Sequence, residues 1–155
     1  MQADAYEKIE REDLEQIQVE RLQATLNRAC QNVAFYRERF ERLGIDIGKV
    51  KSLSDLAELP FTTKEDLRES YPYGMFAVPL KDIVRIHSTS GTTGKPVVVG
   101  YTANDITVWT SLVSRVLRAA EVTEHDLAQI AFNYNLSSAG LGFHYGAEKI
   151  GASVV

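Results

Sequence analysis

The chain has 155 residues, 45% of them hydrophobic and 25% charged, which are ordinary globular values and enough length to bury a core. Its formal net charge is -4, with Lys and Arg scattered among Asp and Glu, which argues against a nucleic-acid or anionic-membrane partner. The single cysteine, Cys30, cannot form an intramolecular disulfide and has no zinc-ligand spacing around it, so it reads as a small buried apolar residue.

The first residues, Met1 to Lys8, lack the apolar run of a signal peptide, and no apolar stretch reaches membrane-spanning length, so a cytoplasmic protein is expected. From about Leu14 to Val33 the residues Val19, Leu22, Leu26, Ala29 and Val33 recur at steps of three and four, one face of an amphipathic helix. A second helix carries Tyr36, Phe40 and Leu43, and Gly44 suits the left-handed position just past its end. Arg37, Glu38, Arg39, Glu41 and Arg42 then form a solvated face.

Ser52 with Asp55 three residues later starts a short piece that Pro60 closes. Thr62-Thr63-Lys64-Glu65 has the capping-box spacing, with Thr62 as N-cap and Glu65 reaching back. The helix it opens is expected to stop at Tyr71-Pro72, because proline disfavours helical geometry in the residue before it.

The period then changes. Ile83 to His87 and Val97 to Tyr101 are β-prone, and Thr102 with Asp105 caps a long helix. The buried face of that helix is expected to be Ile106, Trp109, Leu112, Val113, Val116, Leu117 and Ala120. The last stretch reads as a βαβ unit: strand Leu127 to Phe132, loop Asn133 to Ala139, a glycine-interrupted helix Gly140 to Ile150, and a new strand from Ala152. A parallel strand needs neighbours and cover on both faces, so the chain is expected to be part of a longer protein.

Between the two β-prone segments lies Ser88-Thr89-Ser90-Gly91-Thr92-Thr93-Gly94-Lys95-Pro96. Glycines let a backbone approach a ligand closely, while hydroxyls and amide N–H groups donate to phosphate oxygens. Lys95 adds a point charge suited to a polyphosphate. The plainer alternative is a Ser/Thr/Gly hairpin turn, which leaves the hydroxyl density and the lysine unexplained. A Walker A loop is excluded, because that motif opens a helix whereas Pro96 and three valines follow Lys95.

Thr89 to Pro96 resembles the phosphate-binding signature of the adenylate-forming superfamily of acyl-CoA synthetases, luciferases and nonribosomal adenylation domains. Many members carry a lysine after the proline; this chain has Val97 there and Lys95 before it. That variant, together with Pro60 to Arg68, Tyr73 to Pro79, Val98 to Thr102 and Gly140 to Glu148, is similar to the phenylacetate–CoA ligase branch. The resemblance covers nearly all of the chain beyond about Asn32.

It implies an α/β fold: an N-terminal helical segment over residues 1–50, then an incomplete N-terminal subdomain of the adenylate-forming fold over 51–155. That subdomain would hold a Gly-rich-loop β-hairpin and the start of a parallel βαβ unit. The implied reaction is ATP-dependent and AMP-forming, joining an aryl-acetic acid to coenzyme A through an acyl adenylate, with Mg2+ accompanying ATP. Ser90, Gly91, Thr92, Thr93, Gly94 and Lys95 are the implied phosphate cradle. Lys64, at the first turn of a capped helix where anions are favoured, is a second candidate for a phosphate contact, the plainer alternative being a solvated lysine.

The same resemblance makes Tyr134, Ser137, Ala139 and Gly140 walls of the aryl-acid pocket, after a strand's C-terminal end where open α/β sheets bind ligands. Family members often read close to Gly-Tyr-Gly-Leu-Phe-Thr-Gly-Gly there; this chain reads Asn133 to Gly140 with serine at 137 and 138. His87 and His144 lack a triad arrangement and read as packing or hydrogen-bonding residues, with His144 bracing the substrate loop. No metal ligand is assigned to the chain, and the main catalytic lysine is expected beyond Val155, so the 155 residues alone are expected to be inactive. The expected partners are a small-molecule aryl acid and the remainder of the same enzyme or a second copy, with neither nucleic acid nor membrane. Alternatives left open are a related F420-type adenylating ligase, and a non-catalytic docking module or half of a split enzyme.

Overall fold

A computed structural model describes residues 9–89, 94–134 and 138–155, with the side chain of Ser138 excepted. The chain divides into two compact units, Met1–Asp66 and Leu67–Val155.

In the first unit, helix α1 (Arg11–Asn32) and helix α2 (Ala34–Leu43) are separated by one extended residue, Val33, which is almost wholly buried. Leu26 and Phe40 meet Val50 in the core, flanked by Leu22, Cys30, Tyr36, Ile45, Ile47 and Leu59. Gly44 ends α2 at φ 67, its N–H returning to the carbonyls of Glu41 and Phe40, the left-handed stop expected of glycine. Leu43 faces solvent, so the apolar stripe of α2 is shorter than its spacing suggests. Residues Ile47–Lys49 and Leu53–Glu58 form short 3-10 turns. The side chain of Gln23 on α1 donates to the Val50 carbonyl at 2.9 Å, joining this irregular stretch to the helices.

Helix α3 (Lys64–Glu69) corrects the capping assignment. Thr63, not Thr62, is the cap: its N–H and hydroxyl donate to Asp66 Oδ2 at 2.7 and 2.9 Å, and Asp66 N–H returns to Thr63 Oγ1 at 3.2 Å. The sequence offers two equivalent Thr/acid pairs three residues apart, and tertiary contacts choose between them. Arg39 Nη1 lies 3.0 Å from Asp66 Oδ2, while Thr62 Oγ1 is taken up by the Tyr36 hydroxyl at 3.1 Å. Arg39, whose guanidinium also lies over the Phe35 ring, therefore does not belong to a purely solvated face.

Asp66 is one of three aspartates held by hydrogen bonds that favour the ionised form. The Thr63 N–H and then the Arg39 guanidinium depress its pKa; the N–H groups of Lys51 and Ser52 depress that of Asp55; the N–H and hydroxyl of Thr123 depress that of Asp126. A depressed folded pKa contributes stability that is fully present above the unfolded value, about 3.9, and is lost as pH falls through the lower folded value. Denaturation midpoints are thus expected to hold above about pH 5 and to fall below pH 4, with Asp66→Asn less stable at neutral pH and flatter in acid. Equal acid slopes in both proteins would remove Asp66 from the account.

In the second unit, strands β1 (Ile83–Ser88) and β2 (Val98–Thr102) pair antiparallel, with Ser88 opposite Val98 and an irregularity between Ile83 and Arg85. Thr102 then caps helix α4 (Ala103–Ala119) through a reciprocal box with Asp105, as the spacing requires. Strands β3 (Leu127–Ala128) and β4 (Ser153–Val154) pair in parallel around helix α5 (Ser138–Ile150). The expected βαβ unit is present with a shorter strand and a longer helix. One more ladder bond follows, from Ile130 N–H to the Val155 carbonyl. Among the described residues β3 pairs with β4 alone.

The glycines of α5 do not interrupt it. Gly142 and Gly146 lie on the face that meets α4: a Cβ on Gly142 would lie 2.6 Å from Trp109 Cζ2, one on Gly146 2.6 Å from Val113 Cγ1. This close approach reorders α4. Ser114 is buried at the seam, its backbone nitrogen 3.2 Å from the Cβ position of Gly146, whereas Leu112, Val116 and Ala120, expected in the core, face outward with Val108. Apolar residues wrap more than one side of α4, and the described residues supply one partner helix.

Candidate functional site

The hairpin β1–β2 presents the hydroxyl-rich loop. Its neck is closed by two bonds, Thr89 N–H to the Val97 carbonyl at 3.0 Å and Val97 N–H to Thr89 Oγ1 at 3.0 Å. The Thr89 side chain thus replaces a backbone acceptor, and Thr89 and Val97 are tied to each other by both bonds. Ser90, Gly91, Thr92 and Thr93 lie outside the described residues. Gly94 returns at φ 138 with no atom near its missing Cβ, a conformation that L side chains rarely adopt, and the side chain of Lys95 is exposed.

Beneath the neck the hairpin is anchored by aromatic packing. His87 of β1, paired with Val99, and Tyr101 of β2, paired with Arg85, both reach Trp109 of α4: Tyr101 stacks on the indole at 5.4 Å between centroids and 13° between planes. The His87 ring meets both edge-on at 5.3 and 5.8 Å. His87 is buried and serves this cluster, a packing role. Arg85, next inward on β1, places its guanidinium 5.0 Å from the Tyr145 ring of α5, a cation–π contact.

Tyr134 stands at the other candidate position, on the connection from β3 to α5. Its hydroxyl lies 3.1 Å from His144 Nδ1, and His144 Nε2 lies 3.2 Å from Glu148 Oε1 one turn further along α5. Ser137 lies outside the described residues, and Ala139 is exposed. Gly140 is buried, its Cβ direction meeting Phe132 Cβ at 3.1 Å and Ile130 Cγ2 at 3.7 Å, so it seats the start of α5 under the connection. Tyr134 and His144 are brought together; Gly94 and Lys95 stand at the hairpin tip.

Lys64 is exposed at the first position of α3, in the first unit. Two open hollows of that unit, about 520 and 550 Å3, contain none of the candidate residues. No group of three or more His, Cys, Asp or Glu among the described residues is placed to hold a metal ion, and no helix among them is long and apolar enough to cross a membrane. Sequence reasoning missed the Arg85–Tyr145 contact, which no spacing announces. It also missed the Glu148 partner of His144, although a His and a Glu four apart on a helix is a readable signal.

No family model matches the chain. It is 49% identical over 149 residues to the phenylacetate–coenzyme A ligase of Aromatoleum evansii, covering 96% of this chain and 34% of that protein. It is 49% identical over 144 residues to the phenylacetate–coenzyme A ligase of Escherichia coli strain K12, covering 93% and 33%. A solved structure of 2-hydroxyisobutyryl-CoA ligase, in complex with 2-HIB-AMP and CoA in the thioesterification state, matches with a TM-score of 0.86 at 29% identity. That match covers 95% of this chain and 32% of the other. The chain spans about a third of the length of the curated relatives it matches. By sequence and by fold, the chain is a homologue of the phenylacetate–coenzyme A ligases and corresponds to an N-terminal portion, about a third, of such a protein.

Proposed function

We propose that this chain is the N-terminal, phosphate-gripping part of a cytoplasmic, ATP-dependent, AMP-forming ligase that converts an aryl-acetic acid such as phenylacetate to its coenzyme A thioester. The observation that carries this reading is identity near one half to phenylacetate–coenzyme A ligases, sustained over more than nine-tenths of the chain. Residues 51–155 are read as the subdomain that holds the loop, and residues 1–50 as the helical segment before it.

In this reading the acid's carboxylate oxygen attacks the α-phosphorus of ATP, and the bond to the β-phosphate oxygen breaks, releasing pyrophosphate. The coenzyme A thiolate then attacks the acyl carbon of the adenylate, and AMP leaves with the electrons of the broken C–O bond. Ser90, Gly91, Thr92, Thr93 and Gly94 surround the phosphates, and Lys95 offsets charge growing on the departing pyrophosphate. Such chemistry is mostly positioning and charge stabilisation, which suits a loop rich in donors on a rigid neck. The same reading assigns a further phosphate contact to Lys64. Mg2+ enters with ATP, and no residue of this chain is assigned to it. Tyr134, Ser137, Ala139 and Gly140 line the acid's side of the site.

The test uses the full-length protein that carries this sequence. Phenylacetate with ATP is expected to release pyrophosphate, hydroxylamine to trap the activated acyl group, and coenzyme A to yield AMP and thioester. Acid-independent turnover, or ADP and phosphate in place of AMP and pyrophosphate, would sink the assignment. A second reading, a different acid, draws on Ser137 and Ser138, which give a more polar wall than an aromatic-bearing loop. In competition, 4-hydroxyphenylacetate and indoleacetate are expected to be used alongside phenylacetate. Preference for phenylacetate by several orders of magnitude, unchanged in Ser137→Phe, would remove the loop from specificity.

A further inference from the structure

We infer that His144 is a positioning residue for the acid site: held by Glu148 with its proton on Nε2, it accepts the Tyr134 hydroxyl at Nδ1 and so fixes the ring that faces the substrate. The inference rests on the proposed ligase function for what Tyr134 faces, and on geometry for the rest.

Tyr134 is about half exposed and sits on a connection, where a phenol ring would ordinarily sample several rotamers. Here it is restrained at both ends. The ring meets the His144 ring edge-on at 5.6 Å between centroids, and its hydroxyl reaches Nδ1 at 3.1 Å. His144 is itself restrained. It lies on the regular part of α5, with Tyr145 edge-on at 5.7 Å and Glu148 Oε1 3.2 Å from Nε2.

A carboxylate accepts and cannot donate, so the nitrogen facing Glu148 carries the hydrogen, and in the proposed tautomer that is the ring's one N–H, leaving Nδ1 its lone pair. The phenol is then the donor, and its oxygen keeps lone pairs free to accept. The arrangement has the logic of a histidine oriented by a second group so that its other nitrogen can act. A rigid helix thereby passes its order to a loop residue, the condition for holding a wall in place. The consequence is directional: the Tyr134 oxygen is offered to the acid as an acceptor, which favours ring substituents that donate.

In the full-length ligase, replacing Nδ1 and replacing Nε2 are separable. His144→Asn puts an oxygen where Nδ1 stood and keeps the acceptor; His144→Gln reaches only the Nε2 position and loses it. His144→Gln and Tyr134→Phe are each expected to raise KM for the aryl acid about threefold to tenfold, with kcat little changed, as befits lost ground-state positioning. His144→Asn, which keeps an acceptor at the Nδ1 position but loses the Glu148 contact, is expected to raise KM less than His144→Gln, and Glu148→Ala to shift KM in the same direction as His144→Gln. With 15N-labelled histidine, the His144 ring is expected to show the proton on Nε2.

A proton on Nδ1, or equal KM values for the Asn and Gln variants, overturns the inference. A failure of the ligase reading looks different, since the wild-type protein would then release no acid-dependent pyrophosphate.

Discussion

Lys95→Ala in the full-length ligase is expected to lower aryl-acid-dependent pyrophosphate release about 10²–10³-fold, the usual cost of removing one group that stabilises developing charge. Lys95 is exposed at the foot of the loop, so its removal leaves no cavity and the denaturation midpoint should not move. Gly94→Val should slow the same step for another reason. At φ 138 with open space around the missing Cβ, the penalty is conformational rather than steric, and the loop must leave its shape to accept a β-branched residue. Pyrophosphate release should be followed apart from thioester formation from a supplied acyl adenylate, which both variants should retain. Unchanged pyrophosphate release in both would take the loop out of the mechanism.

Gly146→Ala is expected to destabilise the second unit, although alanine is the better helix former. Helix propensity favours the change by about 0.5–1 kcal/mol. Against it, the new methyl would sit 2.6 Å from Val113 Cγ1, 2.9 Å from Val113 Cβ and 3.2 Å from the Ser114 backbone nitrogen. Backbone cannot rotate away, so α4 and α5 must separate, and overpacking of this kind typically costs about 1–3 kcal/mol. Chemical denaturation should show a lower midpoint with an unchanged slope. A midpoint at or above wild type would mean that the seam yields and that the glycine is there for another reason.

Gly142→Ala meets the Trp109 ring, at 2.6 Å from Cζ2 and 2.9 Å from Cε2. Trp109 is stacked on Tyr101, so displacing the indole also disturbs the hairpin that carries the loop. This variant should therefore couple a stability loss to weaker adenylation, whereas Gly146→Ala should act on stability first.

Local chemistry made much of the chain legible before any fold was known. Helices α1 and α2 follow from apolar steps of three and four, and Gly44 stops α2 because glycine tolerates φ 67. Thr102 and Asp105 start α4 because hydroxyl and carboxylate at that spacing satisfy each other's backbone N–H groups. The strand–loop–strand setting of Lys95, followed by Pro96 and three β-prone valines, is likewise local.

Tertiary structure decided what the sequence presented twice or not at all. Two Thr/acid pairs overlap at Thr62–Asp66, and Arg39 and Tyr36 select between them from another helix. The apolar residues of α4 exceed one face, and Gly142 and Gly146 of α5 take Trp109, Val113 and Ser114 into the seam while Leu112 and Val116 stay exposed. Gly142 and Gly146 look like helix breakers by propensity, yet close packing between helices outweighs a propensity cost of about 1 kcal/mol each. His144 offers a bond at each ring nitrogen, and its partners, Glu148 one turn along and Tyr134 ten residues back, are set by the path from β3 into α5. Periodicity and the candidate caps are fixed by neighbours along the chain; which of two overlapping caps forms, which face is buried, and which hydroxyl meets which nitrogen depend on neighbours in space.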